Sequence, residues 1–468
     1  MTIYIEENQP FSAPIKWVFA LIEANKNTVF NYVNTSENAD LIVSNSINSD
    51  VYLDFNFYKQ IENNDFNVKN PLNTEGSFFE LKIKNLKLNS TINSINNSEL
   101  NSFNLELNSC NNSGLNTINN SPKTDYLAAI FYLVNCLQEY NATSFDVHQR
   151  FQFSASWQAQ TGTITQNIVQ HIINLFLGNQ PKLRHLASKF RESCVFLTHD
   201  IDGLYNAWKT EGLWAAKNFR LDKILHLLYL EAIRRPAWFN IDDILKLHTE
   251  YDVRSTFFFL TEKGKNTEGV FHADYDVNSN KIKQLFSRIK AHKSEIGLHK
   301  SALINSDFNS ELNKLPLNTI KSNRYHFLKF QLPEAWQIME NAGIDLDASL
   351  GFAEQFGFRN SYGLPFSPYN FEEKKAMNLI VTPLNIMDGT ISHYMKMPSS
   401  EVAKTTINFL ENNRKDAILS LLWHNREFSP FRYGAYLGIY KEILSYLYDR
   451  KIKTITASEI VEKFANPI

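Results

Sequence analysis

Two carboxylates one residue apart close an apolar run in Cys194-Val195-Phe196-Leu197-Thr198-His199-Asp200-Ile201-Asp202-Gly203. The run reads as a buried strand with a polar tip. Side chains of an extended chain alternate between faces, so Asp200 and Asp202 project together while His199 and Ile201 point the other way. Two acids in one small volume repel unless a cation lies between them or one of them holds a proton. The first state makes a metal site and the second an acid-base pair. A solvated loop acid beside a helix cap is the plain alternative, and the rest of the chain has to decide between them.

Beyond residue 190 the pattern becomes regular, with an apolar strand, a polar tip and a helix in succession. Strand-like runs fall at 195–198, 255–260, 295–299, 348–352, 379–383, 418–423 and 453–456, and helical stretches at 242–251, 282–292 and 333–341. Seven strands alternating with helices predict an α/β fold, a distorted (β/α)7-type parallel barrel over residues 186–468. In such a barrel the carboxyl ends of the strands converge on one pocket. Asp200 and Asp202 follow the first strand, His299 ends the third and His424 ends the sixth. Residues distant in sequence would then meet in space.

Residues 1–185 read as a smaller mixed α/β domain without a catalytic cluster. Short strands are expected at 41–43, 51–53 and 78–84, and helices at 126–135 and 164–177. Gly178-Asn179-Gln180-Pro181 breaks the last helix and marks the boundary. Residues 85–120, rich in Asn and Ser, read as a polar surface insertion or weak edge strands, since little of the segment can be buried. Asp146-Val147-His148-Gln149-Arg150-Phe151 could orient an interdomain contact, although a salt-bridged turn is the simpler reading.

A length of 468 residues suits two domains, and 43% hydrophobic residues supply ample core. A net charge of -2 gives no reason to expect a nucleic-acid partner, and no polybasic run points to a membrane surface. Three widely spaced cysteines, Cys110, Cys136 and Cys194, fit neither a disulfide framework nor a zinc ribbon. The N-terminal residues lack a secretory signal, and nothing approaches the roughly 20 apolar residues of a bilayer span. A cytoplasmic protein is expected, with no transmembrane segment and an open oligomeric state.

Five segments in order resemble the polysaccharide deacetylases, the NodB-homology enzymes of carbohydrate esterase family four. Leu197 to Asp202 is similar to the family's first motif in a D-x-D form, and Ser255-Thr256-Phe257-Phe258-Phe259-Leu260 to its A-T-F-F strand. Glu295-Ile296-Gly297-Leu298-His299 is similar to E-I-G-x-H, Gly357-Phe358-Arg359 through Pro365-Phe366 to the arginine-bearing motif, and Leu422-Trp423-His424-Asn425 to the final L-x-H. The resemblance implies a divalent metal, commonly zinc. It makes Asp200 the general base, Asp202 and His299 metal ligands, Arg359 the partner that fixes Asp200, and His424 the general acid. An amide hydrolase needs an activated water, a cation facing the developing oxyanion and an acid for the departing amine, so the assignment is chemically coherent.

The family's second motif ends with a further histidine, and here that position is Leu303. A catalytic zinc generally has three protein ligands plus water, so either the third comes from elsewhere or no metal is held. His326, in the connection between the third and fourth strands, is the candidate. His199 is the alternative, and a weaker, water-completed site is a third possibility. Trp423 and Tyr369 could stack on a sugar face, Trp423 equally well as barrel packing. The expected function is a metal-dependent hydrolase that removes N-acetyl groups from a saccharide or glycan precursor. A non-catalytic saccharide-binding barrel and a hydrolase of another non-peptide C–N bond are the alternatives.

Overall fold

The long apolar runs after residue 190 pair with one another as a single sheet in the computed structural model, which describes residues 1–45, 49–73, 124–265, 270–302, 307–316 and 320–465. Its strands are β4 (Cys194–Ile201), β5 (Ser255–Leu260), β6 (Glu295–Lys300), β7 (Ser322–Tyr325), β8 (Leu346–Asp347), β11 (Ile380–Val381), β12 (Leu384–Met387) and β13 (Ile418–Leu422). They are ordered β11-β8-β7-β6-β5-β4-β13-β12, and every pairing is parallel. This is the α/β barrel architecture expected, in the form of a curled eight-stranded sheet. Parallel strands are covered on both faces, which is why β5 is buried along its whole length as Ser-Thr-Phe-Phe-Phe-Leu. A short antiparallel hairpin, β9 (Tyr369–Asn370) with β10 (Lys375–Ala376), stands apart from the sheet.

The crossover helices show why they fold where they do. In the helix Asn280–Ala291, Ile282, Leu285, Phe286 and Ile289 repeat at three and four residues and are all buried. The helix Ala457–Phe464 starts with a capping box, in which Thr456 and Glu459 each satisfy the other's backbone N–H.

Registers align the strand tips. His299 pairs with Leu260 on one side and with Arg324 on the other, while Thr198 pairs with Leu422 two residues before His424. Gly297 permits the close approach of β5 to β6, because a Cβ there would lie 2.5 Å from the Phe258 ring and 2.6 Å from Ser322 Oγ.

In the N-terminal region β1 (Thr2–Ile5) lies between β2 (Asn31–Tyr32) and β3 (Leu41–Val43) in a parallel sheet, accompanied by the helices Ser12–Lys26, Tyr126–Val134 and Ile168–Asn179. One hydrophobic core runs without interruption from Ile3 to Ile460. Polar contacts cross it as well: Trp17 Nε1 donates to the Ser367 carbonyl at 3.0 Å, and Asn25 Nδ2 to Tyr362 Oη at 3.1 Å.

Several expected elements differ. Residues 453–456 contribute only an isolated bridge between Thr454 and Val195, because that segment meets the start of β4 and then caps a helix. The run at 348–352 leaves the sheet, the strand being the two residues before it, and 51–53 form no strand. β7 and β12 were not foreseen, since neither is a long apolar run. The strand expected at 78–84, the segment 85–120 and Leu303 lie outside the described residues.

Candidate metal and acid-base site

The tips of β4, β6, β7 and β13 open onto one cavity of about 310 Å³, lined among others by Asp200, Asp202, His299, His326, His424 and Arg426. Asp202 stands at its centre. Its Oδ1 is 3.4 Å from His299 Nε2 and 3.8 Å from His326 Nε2, and its Oδ2 is 3.8 Å from His424 Nε2 and 3.7 Å from Arg426 Nη1. Asp200, on the same face of the strand, puts Oδ2 3.7 Å from His299 Nε2.

Asp202, His299 and His326 each offer a donor atom within 4.8 Å of the other two, a spacing that one cation can bridge. Three further observations fit a metal. Asp202 Oδ1 is buried without a hydrogen-bond partner, a costly arrangement that a cation would relieve. His299 Nδ1 lies 2.9 Å from the Arg324 carbonyl, so donating there leaves the Nε2 lone pair facing the cavity. One carboxylate and two imidazoles are also a donor set that zinc accepts.

The electrostatics agree. Burial would raise the Asp202 carboxyl, but the imidazoles of His299, His424 and His326 and the Arg426 guanidinium outweigh it and hold the group well below the usual carboxylate range. Burial disfavours a charged His299, yet Asp200 and Asp202 together push it above the ordinary histidine value. Burial takes His326 down to about 3, which keeps it neutral and able to ligate.

On the opposite side of Asp202, His424 is bound to an acid not singled out in the sequence. Its Nδ1 lies 2.6 Å from Asp388 Oδ1, and its backbone N–H donates to Asp388 Oδ2 at 2.6 Å. Burial disfavours the imidazolium, but Asp388 more than compensates and raises His424 to about 9. Asp388, fully buried just after β12, is held below its usual range by the same contact despite its own desolvation.

Arg359 does not reach Asp200. Its Nε and Nη2 donate to Glu139 at 2.9 and 2.6 Å, and Nη1 to the Gly351 carbonyl at 2.8 Å. The buried Glu139 needs a counter-charge, and the loop bearing Arg359 packs against the N-terminal region that carries it. Arg324 stands at Asp200 instead, with Nη1 3.8 Å from Oδ1 and Nη2 donating to Thr198 Oγ1 at 3.1 Å. It arrives from β7, where a buried polar strand gave no apolar signal. A guanidinium two residues before His326 was the available clue.

Other expected residues go elsewhere. His199 points into the core, with Nδ1 2.7 Å from the Trp423 carbonyl and its ring 4.8 Å from Phe257, and burial lowers it to about 4. Trp423 is fully buried against Tyr436 and Tyr440, and Tyr369 packs on Phe131 and Phe371, so neither offers a face to a sugar. The 146–151 turn is salt-bridged, Arg150 to Asp146 at 2.6 Å, and it also touches the cavity. His148 and Arg150 line the rim, and Arg150 Nη1 donates to the Phe327 carbonyl at 2.8 Å.

Residues 1–179 match a protein-family model described as a family of unknown function, DUF7033. No curated protein matches the chain. Among solved structures, it is similar to a candidate polysaccharide deacetylase involved in O-antigen biosynthesis from Bordetella bronchiseptica, with 15% identity, a TM-score of 0.31, and coverage of 61% of this chain and 91% of that one. A candidate polysaccharide deacetylase from Mycobacterium smegmatis is 14% identical, with a TM-score of 0.37 and coverage of 58% and 90%. An allantoinase is 14% identical, with a TM-score of 0.36 and coverage of 58% and 88%. At this distance the chemistry has to be read from the side chains of the cavity.

Proposed function

We propose that this protein is a metal-dependent hydrolase that removes the acetyl group from an N-acetylated saccharide or glycan precursor, a divergent relative of the polysaccharide deacetylases. The observation that supports it is the meeting of Asp202, His299 and His326 donor atoms within 4.8 Å, flanked by Asp200 on one side and by the Asp388-bound His424 on the other. Asp202, His299 and His326 would hold a divalent cation, zinc being the best match to the donors. When bound, such an ion lowers the pKa of water and polarises a carbonyl.

The chain's own groups supply the proton transfers. Asp200 accepts a proton from the attacking water, whose oxygen bonds to the acetamide carbon. Arg324, with Nη1 3.8 Å from Asp200 Oδ1, sets a positive charge beside that carboxylate. His424, protonated and fixed by Asp388, gives its proton to the leaving nitrogen as the C–N bond breaks, so that acetate and a free amine depart. The reading takes residues 1–185 as a separate domain whose 146–151 turn completes the rim, and it places the reaction in the cytoplasm, on precursors before export.

Acetate release from a panel of N-acetylated saccharides, with ring opening of small cyclic amides followed in parallel, tests the proposal. Turnover of the saccharides, abolished in Asp200→Asn, is the expected result. Turnover of the cyclic amides alone would assign a different C–N hydrolase, and saccharide binding with no acetate released would leave a binding protein.

A further inference from the structure

A few residues after Asp202 the chain runs through two helices packed on each other, Ala207–Lys217 and Leu221–Ala232, that leave several large apolar side chains exposed. In the second helix Leu221, Leu225, Leu228 and Tyr229 recur at helical spacing and are all exposed, while Leu227 alone is buried. Phe219 at the turn between the helices is 94% exposed, and Trp208 and Leu213 extend the surface along the first helix. A soluble surface scatters such side chains singly, whereas four on one helix at this spacing mark an interaction site.

Charge distinguishes the partner. Residues 207–235 carry six cationic side chains against three anionic ones, in a chain whose net charge is -2. One of the three acids, Glu211, is buried and accepts the Arg432 backbone N–H at 3.1 Å. Lys209, Lys217, Arg234 and Arg235 are exposed around the apolar stripe. Leu, Phe, Trp and Tyr on one face with Lys and Arg beside them is the composition of a helix that lies in a membrane interface and is drawn to anionic lipid. A face between protein copies is instead depleted of lysine. The cations are dispersed over two helices, so no polybasic run announces them in the sequence.

Contacts join the pair, and the turn that leads into it from Asp202, to the segment that follows His424. Lys223 Nζ donates to the Pro430 carbonyl at 2.9 Å, and Asn425 Nδ2, next to His424, donates to the Gly203 carbonyl at 2.9 Å. We propose that helices Ala207–Lys217 and Leu221–Ala232 dock on an anionic lipid surface and so present the mouth of the cavity to a saccharide held at the membrane. The second half of that statement rests on the deacetylase reading, and the first does not.

Flotation of the full chain with vesicles of phosphatidylglycerol, and separately of phosphatidylcholine, tests the docking. The protein should float with the anionic vesicles only, and less so in high salt. Leu225→Ser with Leu228→Ser, and independently Lys217→Glu, should weaken this by about tenfold or more with unchanged circular dichroism. No flotation, or flotation unaltered in both variants, overturns the docking. So does a concentration-dependent dimer that the Leu225→Ser, Leu228→Ser variant dissociates, since the stripe is then a protein interface. With N-acetylglucosamine coupled to a lipid anchor in the same vesicles, both variants should slow acetate release while leaving release from the soluble sugar intact. Equal rates on the anchored sugar overturn the membrane-held substrate. If neither sugar is hydrolysed while flotation persists, the enzymatic reading fails and the docking stands.

Discussion

His424 and Asp388 form a buried pair in which one carboxylate holds both the ring and the backbone of its partner, Nδ1 at 2.6 Å and the N–H at 2.6 Å. A histidine raised to about 9 is stabilising as the cation. That contribution is fully present below the unfolded value near 6.5 and is lost as pH rises through about 9. Histidine NMR of metal-free protein should therefore show one imidazolium titrating near 9, moved down toward the ordinary range in Asp388→Asn. Chemical denaturation of metal-free protein should lose stability over the same interval, and less so in that variant.

Zinc content should fall in each of Asp202→Ala, His299→Ala and His326→Ala. Removing a ligand should weaken affinity by more than the roughly 10–100-fold typical of losing a supporting hydrogen bond. Calorimetric titration of the four proteins decides it, and an unaltered affinity in His326→Ala would return the third position to water.

Arg324 and Arg359 should separate activity from stability. Arg324→Met removes the guanidinium beside Asp200 and should lower kcat by about 10²–10⁴, the range of a general-base contribution, with KM little changed. Arg359→Met leaves Glu139 buried beside no counter-charge, which typically costs about 3–5 kcal/mol. Steady-state kinetics on the first and urea unfolding on the second would show whether the two guanidinium groups have these different duties.

Gly297→Ala should destabilise by about 1–3 kcal/mol, because its methyl group collides with Phe258 and Ser322 inside a packed sheet. Thermal unfolding measures the cost. The same push on β6 moves His299, so zinc affinity should fall together with stability.

Where a strand is both apolar and long, the sequence exposes the site directly. β4, β6 and β13 end on Asp200 and Asp202, on His299 and just before His424, and alternation alone placed the two acids together. β7 hides because its residues are Ser-Asn-Arg-Tyr, made tolerable in the interior by partners such as Asp347, 3.0 Å from Asn323 Nδ2. Arg324 was invisible for that reason, and His326 was assigned to a connection when it follows a strand. Asp388 escaped notice since β12 begins only three residues after β11 ends, so the apolar run at 379–383 reads as finishing at β11 and the second strand, on the opposite edge of the sheet, goes unread. Arg359 had the expected motif around it, but motif spacing carries no information about Glu139, 220 residues away along the chain.

β7 gathers three duties within five residues. Its Arg324 side chain faces Asp200, its Arg324 carbonyl lies against the ring of His299, and His326 follows at its end. A shift of this one segment would move the guanidinium beside Asp200, the carbonyl that anchors His299 and the His326 ring together.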